Sequence, residues 1–300
     1  EEVFTMLMTG ITIAIAAIPE GLPATVTIAL ALAVSRMMKR KALVNKLHSV
    51  ETLGCASVIC SDKTGTITEN KMTVTELYTV GGEYFFGGRG YKISGSVSKG
   101  AEHTSVNPVS EKALTEALKC AVMCSTAEIS APVKPKSRNR GALVGKGEWQ
   151  TTGDPTEIAL LVAAAKAGVT NASLQSTLRR TEEYPFDSET RFMAVHCLHG
   201  TSGKTYFKGA EEVILPRCSQ YMSDSGEILP LTPAIRRKLA DRTIEMSDKA
   251  LRVLALAVSE SDSFDPNGAG LTFLGLSGMI DPPREEAKLA IRKCAAASVK

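Results

Sequence analysis

The 300 residues lack a strong charge of either sign: acidic and basic side chains are mixed along the chain and sum to only +3. That balance does not indicate a nucleic-acid partner. The seven cysteines, at positions 55, 60, 120, 124, 197, 218 and 294, include no C-x-x-C pair and no zinc-finger spacing. An odd number without a framework reads as reduced, mostly buried thiols of a cytosolic module. Cys120 and Cys124, at i and i+4 on a helix, could bridge a metal, but shared burial on one face explains them better. A basic leader and a small-residue cleavage site are also missing around the N-terminal apolar run, which argues against a secretory signal.

What the chain does have is that run, from Val3 to Val34. About 18 apolar residues with almost no charge read as a membrane span, and this run's roughly thirty could reach about 45 Å against about 30 Å of hydrocarbon. Part of it must be unwound, tilted or projecting. In its middle stands Ala17-Ile-Pro-Glu-Gly-Leu-Pro23. Proline donates no backbone hydrogen bond, so Pro19 and Pro23 release the carbonyls of Ile15 and Pro19. Released carbonyls and an ionisable group at membrane depth suit a cavity or an ion. Carbonyl oxygens with the Glu20 carboxylate make a hard-cation site; a proline kink with Glu20 snorkelling or paired to another helix is the plainer reading. Arg36, Lys39, Arg40, Lys41 and Lys46 follow, placing what comes after on the cytoplasmic side by the positive-inside bias. A lone span beginning at Glu1 rather than at Met reads as part of a larger polytopic protein.

Ala56-Ser-Val-Ile-Cys60 reads as a short strand, followed at once by Ser61-Asp-Lys-Thr-Gly-Thr66. Ligands gather at the carboxyl ends of strands in open α/β sheets. A carboxylate there, Asp62, can attack a phosphoryl group and form an acyl phosphate. Lys63 can neutralise phosphate charge, Gly65 permits close approach, and Thr64 and Thr66 can donate hydrogen bonds. A β-turn after a strand explains the same letters equally well.

The whole stretch, CSDKTGTIT, resembles the phosphorylation motif of the P-type ATPases. The resemblance implies that Asp62 is phosphorylated by ATP and that Thr64 helps to hold Mg²⁺ and phosphate. Related haloacid-dehalogenase-type phosphatases usually carry a second Asp where Thr64 stands, so a lasting phosphoenzyme is favoured over simple hydrolysis. Upstream, IPEGLP and the basic stalk look like the fourth membrane helix of a P-type cation pump. In calcium pumps of endoplasmic-reticulum or secretory-pathway type, this Glu and the carbonyls before it form a calcium site, which implies Ile15, Ala16, Ile18 and Glu20 here.

Beyond Met72 the pattern changes to short strands and Gly-rich turns, with a Pro/Lys/Arg-rich segment at 131–141 that reads as an exposed loop. Thr152-Gly-Asp-Pro-Thr-Glu157 is a helix start with Asp154 as N-cap, Pro155 at N1 and Glu157 at N3. In the family, the corresponding Glu lies beside the adenine of ATP. Tyr184–Met193 resembles the pumps' adenine-stacking stretch, implying Phe186, or else a core strand residue. Thr190-Arg191 replaces the usual Arg-Lys, so Arg191 keeps the charge with different geometry. Phe207-Lys-Gly-Ala-Glu211 resembles the KGAPE motif, implying Lys208 in the ATP pocket. Leu251–Ala257 reads as a buried strand holding one Arg, which the family places against the phosphates: Arg252. Asp281-Pro-Pro-Arg284 resembles the hinge returning to the phosphorylation domain.

The expectation is therefore an α/β chain: one transmembrane helix with an ion site (1–35), a stalk and first part of a haloacid-dehalogenase-like, Rossmannoid phosphorylation domain (36–72), a large inserted α+β nucleotide-binding domain (73–280), and the start of the second phosphorylation-domain part (281–300). ATP and Mg²⁺ are the implied cofactors, with membrane lipid and the rest of the pump as partners. Ca²⁺ is the leading cargo, with Mn²⁺ or Na⁺ as alternatives. A membrane-anchored phosphatase and a non-catalytic nucleotide-binding scaffold are the competing classes.

Overall fold

A computed structural model of the chain describes residues 2–19, 21–88, 90–130 and 149–300. Glu20 and the 131–141 segment lie outside the described residues. The apolar run folds as two helices, α1 (Glu2–Ala16) and α2 (Gly21–Lys39). By length and composition, Glu2–Lys39 is the one segment among the described residues able to cross a membrane, with a mean hydropathy of 1.7. The hydroxyls of Thr9, Thr12, Thr25 and Thr27 each donate to the carbonyl four residues back, which satisfies them within the helix and without water.

The break corrects one expectation. The carbonyls that Pro19 and Pro23 release are not left open, because Ile18 N–H donates to Ile15 O and Leu22 N–H to Pro19 O, each at 3.0 Å. The chain tightens to i→i+3 bonds where the proline ring removes the i→i+4 donor. Each carbonyl keeps a second lone pair.

Two compact units divide the molecule: residues 1–61 with 285–300, and Asp62–Arg284. The first holds α1, α2, α3 (His48–Gly54) and the helix Glu285–Ala296. Ala56–Cys60, expected as a strand, is not laddered into a sheet. A strand needs a partner row, and here Ala56 N–H turns back to Leu53 O (3.2 Å), while Ile59 N–H donates to Lys300 O (2.7 Å) and Lys300 N–H to Ser57 O (2.9 Å).

The second unit begins at Asp62, where the sequence reading starts its insert at residue 73. Its strands are β1 (Thr73–Thr79), β2 (Gly82–Phe86), β3 (Val97–Lys99), β4 (Thr104–Ser105), β5 (Glu128–Ser130), β6 (Gln150–Thr152), β7 (Arg179–Tyr184), β8 (Phe192–His199), β9 (Ser202–Gly209), β10 (Cys218–Met222), β11 (Ile228–Pro230), β12 (Arg252–Ser259) and β13 (Leu271–Ile280). The main sheet runs β4-β3-β2-β1-β13-β12-β9-β8-β7, with β10 added parallel to β13, and β5 and β6 pair separately. Helices α4 (Lys112–Met123), α5 (Pro155–Lys166), α6 (Asn171–Gln175), α7 (Glu211–Ile214) and α8 (Pro233–Asp248) complete it.

The apolar sequence of β13 explains its central place, since a strand covered on both faces has no polar side to present. One layer of the core joins Leu114, Leu118, Leu160 and Leu161 of α4 and α5 to Met193 and Leu274. The opposite layer joins Ile214, Leu239 and Met246 of α7 and α8 to Phe207 and Phe273. Cys120 and Cys124 are fully buried in the first layer, and their thiols donate to the carbonyls of Phe207 (3.2 Å) and Tyr206 (3.3 Å). Burial pushes the Cys120 thiol well above its ordinary range; shared burial on one helix face, with each thiol bonded to a backbone carbonyl, accounts for both cysteines as core.

Candidate functional site

Helix α5 starts as its letters dictate. Asp154 accepts from Thr156 N–H at 2.8 Å, Pro155 occupies the first turn, and Glu157 follows. That start turns Glu157 toward the end of β9, where Lys208 is the penultimate residue. Lys208 Nζ donates to Glu157 Oε1 at 2.8 Å, with the side chains only 6% and 10% exposed. The other carboxylate oxygen, Oε2, accepts from the Thr126 amide (2.7 Å), the Thr126 hydroxyl (2.9 Å) and the Ala127 amide (3.0 Å). Burial alone would raise the Glu157 carboxyl; the Lys208 charge and the Thr126 donors outweigh it and hold the group below the usual carboxylate range. A buried charge is tolerated on such terms, paired and fully hydrogen-bonded.

Above this pair opens a cavity of about 240 Å³ lined by Thr126, Asp154, Thr156, Glu157, Phe186, Lys208, Gly209, Arg252 and Leu254. Phe186 sits in the β7–β8 connection with 55% of its surface exposed, so it is not the core strand residue its neighbours allowed. A bare aromatic face at a cavity mouth is a stacking platform. Arg252 corrects the sequence reading in another way: it is the exposed first residue of β12 rather than a charge inside a buried strand, and its guanidinium donates to Thr156 Oγ1 at 3.4 Å. Gly209 is required by its neighbours, since a Cβ there would stand 2.6 Å from Phe192 Cβ and 2.7 Å from Arg191 O.

Glu157, Phe186, Lys208 and Arg252 thus converge on one cavity from four distant segments. Arg191 is not among the lining residues. Its backbone takes the left-handed conformation (φ 58°) and its guanidinium pairs with Glu212 at 2.7 Å. Thr126 and Leu254 belong to the lining without having been singled out: Leu254 lies in the Leu251–Ala257 stretch, where only its Arg drew notice, and Thr126 sits in no pattern that would mark it.

The loop carrying Asp62 is the second candidate. Asp62, Lys63 and Thr64 are exposed on an irregular turn in which Gly65 takes φ 77°, open to glycine at no steric cost. The turn is clamped from the far end of the unit. Thr68 Oγ1 donates to Asp281 Oδ2, Lys71 N–H donates to Asp281 Oδ1 at 3.1 Å, and the Arg284 guanidinium donates to Thr68 O (2.9 Å) and Gly65 O (3.1 Å). Asp281 and Arg284, read as a hinge, therefore also position the loop. Among the described residues no three His, Cys, Asp or Glu side chains gather around a metal position. One carboxylate with adjacent oxygens, completed by phosphate and water, is nonetheless the set Mg²⁺ takes. Ile15 and Ala16 close α1 and Ile18 lies in the break, all three exposed.

Residues 113–286 match the family described as P-type ATPase, cytoplasmic domain N. The chain is 41% identical over 312 residues to a calcium-transporting ATPase of Bacillus subtilis, covering 100% of this chain and 32% of that protein. It is 40% identical over 303 residues to the cation-transporting ATPase pma1 of Synechocystis, covering 96% and 31%. With the human calcium-transporting ATPase type 2C member 1 it shares 40% identity over 306 residues, covering 100% and 30%. The chain thus spans about a third of the length of these relatives.

Proposed function

The chain belongs to the P-type ATPases, and from that membership we propose that it is the nucleotide-binding and phosphate-accepting part, with one membrane segment, of an ATP-driven calcium pump. The observation that carries this reading is the cavity in which Glu157, Phe186, Lys208 and Arg252 meet. Its volume, about 240 Å³, lies just below the roughly 300–1,000 Å³ of pockets that enclose whole small molecules. It suits a base, stacked on Phe186 over the Lys208–Glu157 pair, with the phosphates leaving past Arg252 and the N-terminus of α5, where backbone dipoles favour anions.

Asp62 is the proposed acceptor. A carboxylate oxygen of Asp62 bonds to the γ-phosphorus, the bond from that phosphorus to the bridging oxygen breaks, and ADP leaves with the electron pair. Lys63 offsets the phosphate charge, and Asp62 and Thr64 would hold Mg²⁺, which when bound supplies charge neutralisation to the transfer. Asp281 and Arg284 keep the loop in place, and their Pro-Pro crossing is where the nucleotide-bearing sheet would swing toward Asp62. We read the stretch around Asp62, with 281–300, as haloacid-dehalogenase-like.

Residues after about 36 are proposed to be cytoplasmic, on the strength of the basic stalk. The backbone oxygens of Ile15, Ala16 and Ile18 with Glu20 would contribute to a cation site completed by other helices of the pump. Calcium is supported by what the Bacillus subtilis and human relatives are said to transport. The test uses the complete pump and γ-labelled ATP. A hydroxylamine-sensitive label should form on Asp62 when Ca²⁺ is supplied and be absent from Asp62→Asn. Label that forms without any cation, or that persists in Asp62→Asn, would sink the proposal; label that follows Mn²⁺ or Na⁺ instead would reassign the cargo.

A further inference from the structure

Thr126 stands in the connection between α4 and β5, carries no charge and lines the cavity. Its hydroxyl has a single proton, and the Glu157 carboxylate 2.9 Å away decides where that proton goes. The carboxylate is held ionised by Lys208 and the surrounding donors; having no proton to give, it can only accept. With its hydrogen committed to Glu157, Thr126 Oγ1 has only lone pairs to offer the cavity. Lys208 is the converse. Its ammonium has three N–H groups, one of them on Glu157 Oε1, and it can only donate. Because both residues bond to the two oxygens of one carboxylate, an acceptor and a donor stand together on the cavity wall with fixed polarity. Glu157 Oε2, already taking three donors, has little left to offer a base.

A base edge complementary to this wall needs an amino donor next to a ring-nitrogen acceptor. Adenine presents that order with its 6-amino group and N1. Hypoxanthine and guanine present a 6-oxo acceptor next to an N1–H donor, the reverse order. We propose that Thr126 is the specificity-determining residue of the cavity: by donating its hydroxyl hydrogen bond to Glu157 it fixes the polarity of the wall and accepts a hydrogen bond from the 6-amino group of an adenine nucleotide. The inference rests on the nucleotide reading of the cavity and deepens it.

Calorimetric titration of the 300-residue chain in detergent micelles with ATP and with inosine triphosphate tests it. The wild type should bind ATP about three- to tenfold more tightly, the worth of one hydrogen bond. Thr126→Val, which keeps the shape and loses the hydroxyl, should bring the ratio to about one by weakening ATP alone, whereas Thr126→Ser should retain it. Thr126→Ala takes the place of the valine variant if that one fails to fold. Equal binding of both nucleotides by the wild type, an unchanged ratio in the variants lacking the hydroxyl, or loss of the ratio in Thr126→Ser overturns the role of Thr126 while leaving the pocket assignment standing. A wild type that binds neither nucleotide overturns the pocket assignment itself, and the inference with it.

Discussion

The buried Lys208–Glu157 pair bears on stability and, in the proposed nucleotide pocket, on binding as well. Removing one partner of a buried ion pair leaves the other charge unpaired, at a cost of about 3–5 kcal/mol. Lys208→Ala should therefore both abolish nucleotide binding and lower the urea midpoint, whereas Lys208→Met with Glu157→Gln should recover most of the stability but none of the binding. The pair also sets a pH dependence. The Glu157 carboxyl lies below its ordinary 4.5 in the folded chain, so the unfolded chain takes up the proton first as pH falls. The stabilisation is full above about pH 4.5 and is lost progressively below it. Glu116 and Glu111 shift in the same direction: burial would raise each, but Lys119 and Tyr206 outweigh it at Glu116, as do Lys99 and Tyr84 at Glu111. Urea unfolding over a series of acid pH values should show stability falling with acidification, and the slope should be shallower in Glu157→Gln.

At the level of elements, the site depends on close approaches that single residues permit. Strands β8 and β9 bring Phe192 opposite Gly209 at the cavity's edge, and the space a Cβ would need is already occupied. Gly209→Ala should destabilise the unit by about 1–3 kcal/mol, as overpacking does, and weaken ATP binding; a melting temperature equal to wild type would show that the strands yield instead. The clamp on the Asp62 loop separates two functions in a similar way. Asp281→Ala removes the acceptor for Thr68 and Lys71 without touching the cavity. In the complete pump it should cut the phosphoenzyme level while leaving ATP affinity within about twofold. Equal losses in both measurements would mean that the clamp supports the whole unit rather than the loop.

On the scale of the whole molecule, both layers of the core lie inside Asp62–Arg284. That fragment, produced without the apolar helices, should fold and bind ATP with the affinity of the longer chain, as a two-state thermal transition and a nucleotide titration would show. A fragment that remains unfolded would mean that the division into two units is not a division of stability.

Much of this was legible in the letters. Hydrophobic runs, prolines, the Asp154–Pro155 helix start and the motif around Asp62 act through neighbours a few residues away, so the sequence by itself determined the apolar segment with its break, the start of α5 and the candidate acceptor. It also named four of the residues that line the cavity. Which groups face one another was decided only by the tertiary structure. Glu157 meets Lys208 across 51 positions and Thr126 across 31, Asp281 reaches Thr68 across 213, and Arg191 turns away to Glu212. Such partnerships depend on sheet register and helix packing, in which one residue of slip reverses every side chain. For the same reason Thr126, unmarked in the sequence, became visible only when the fold set its hydroxyl against a buried carboxylate.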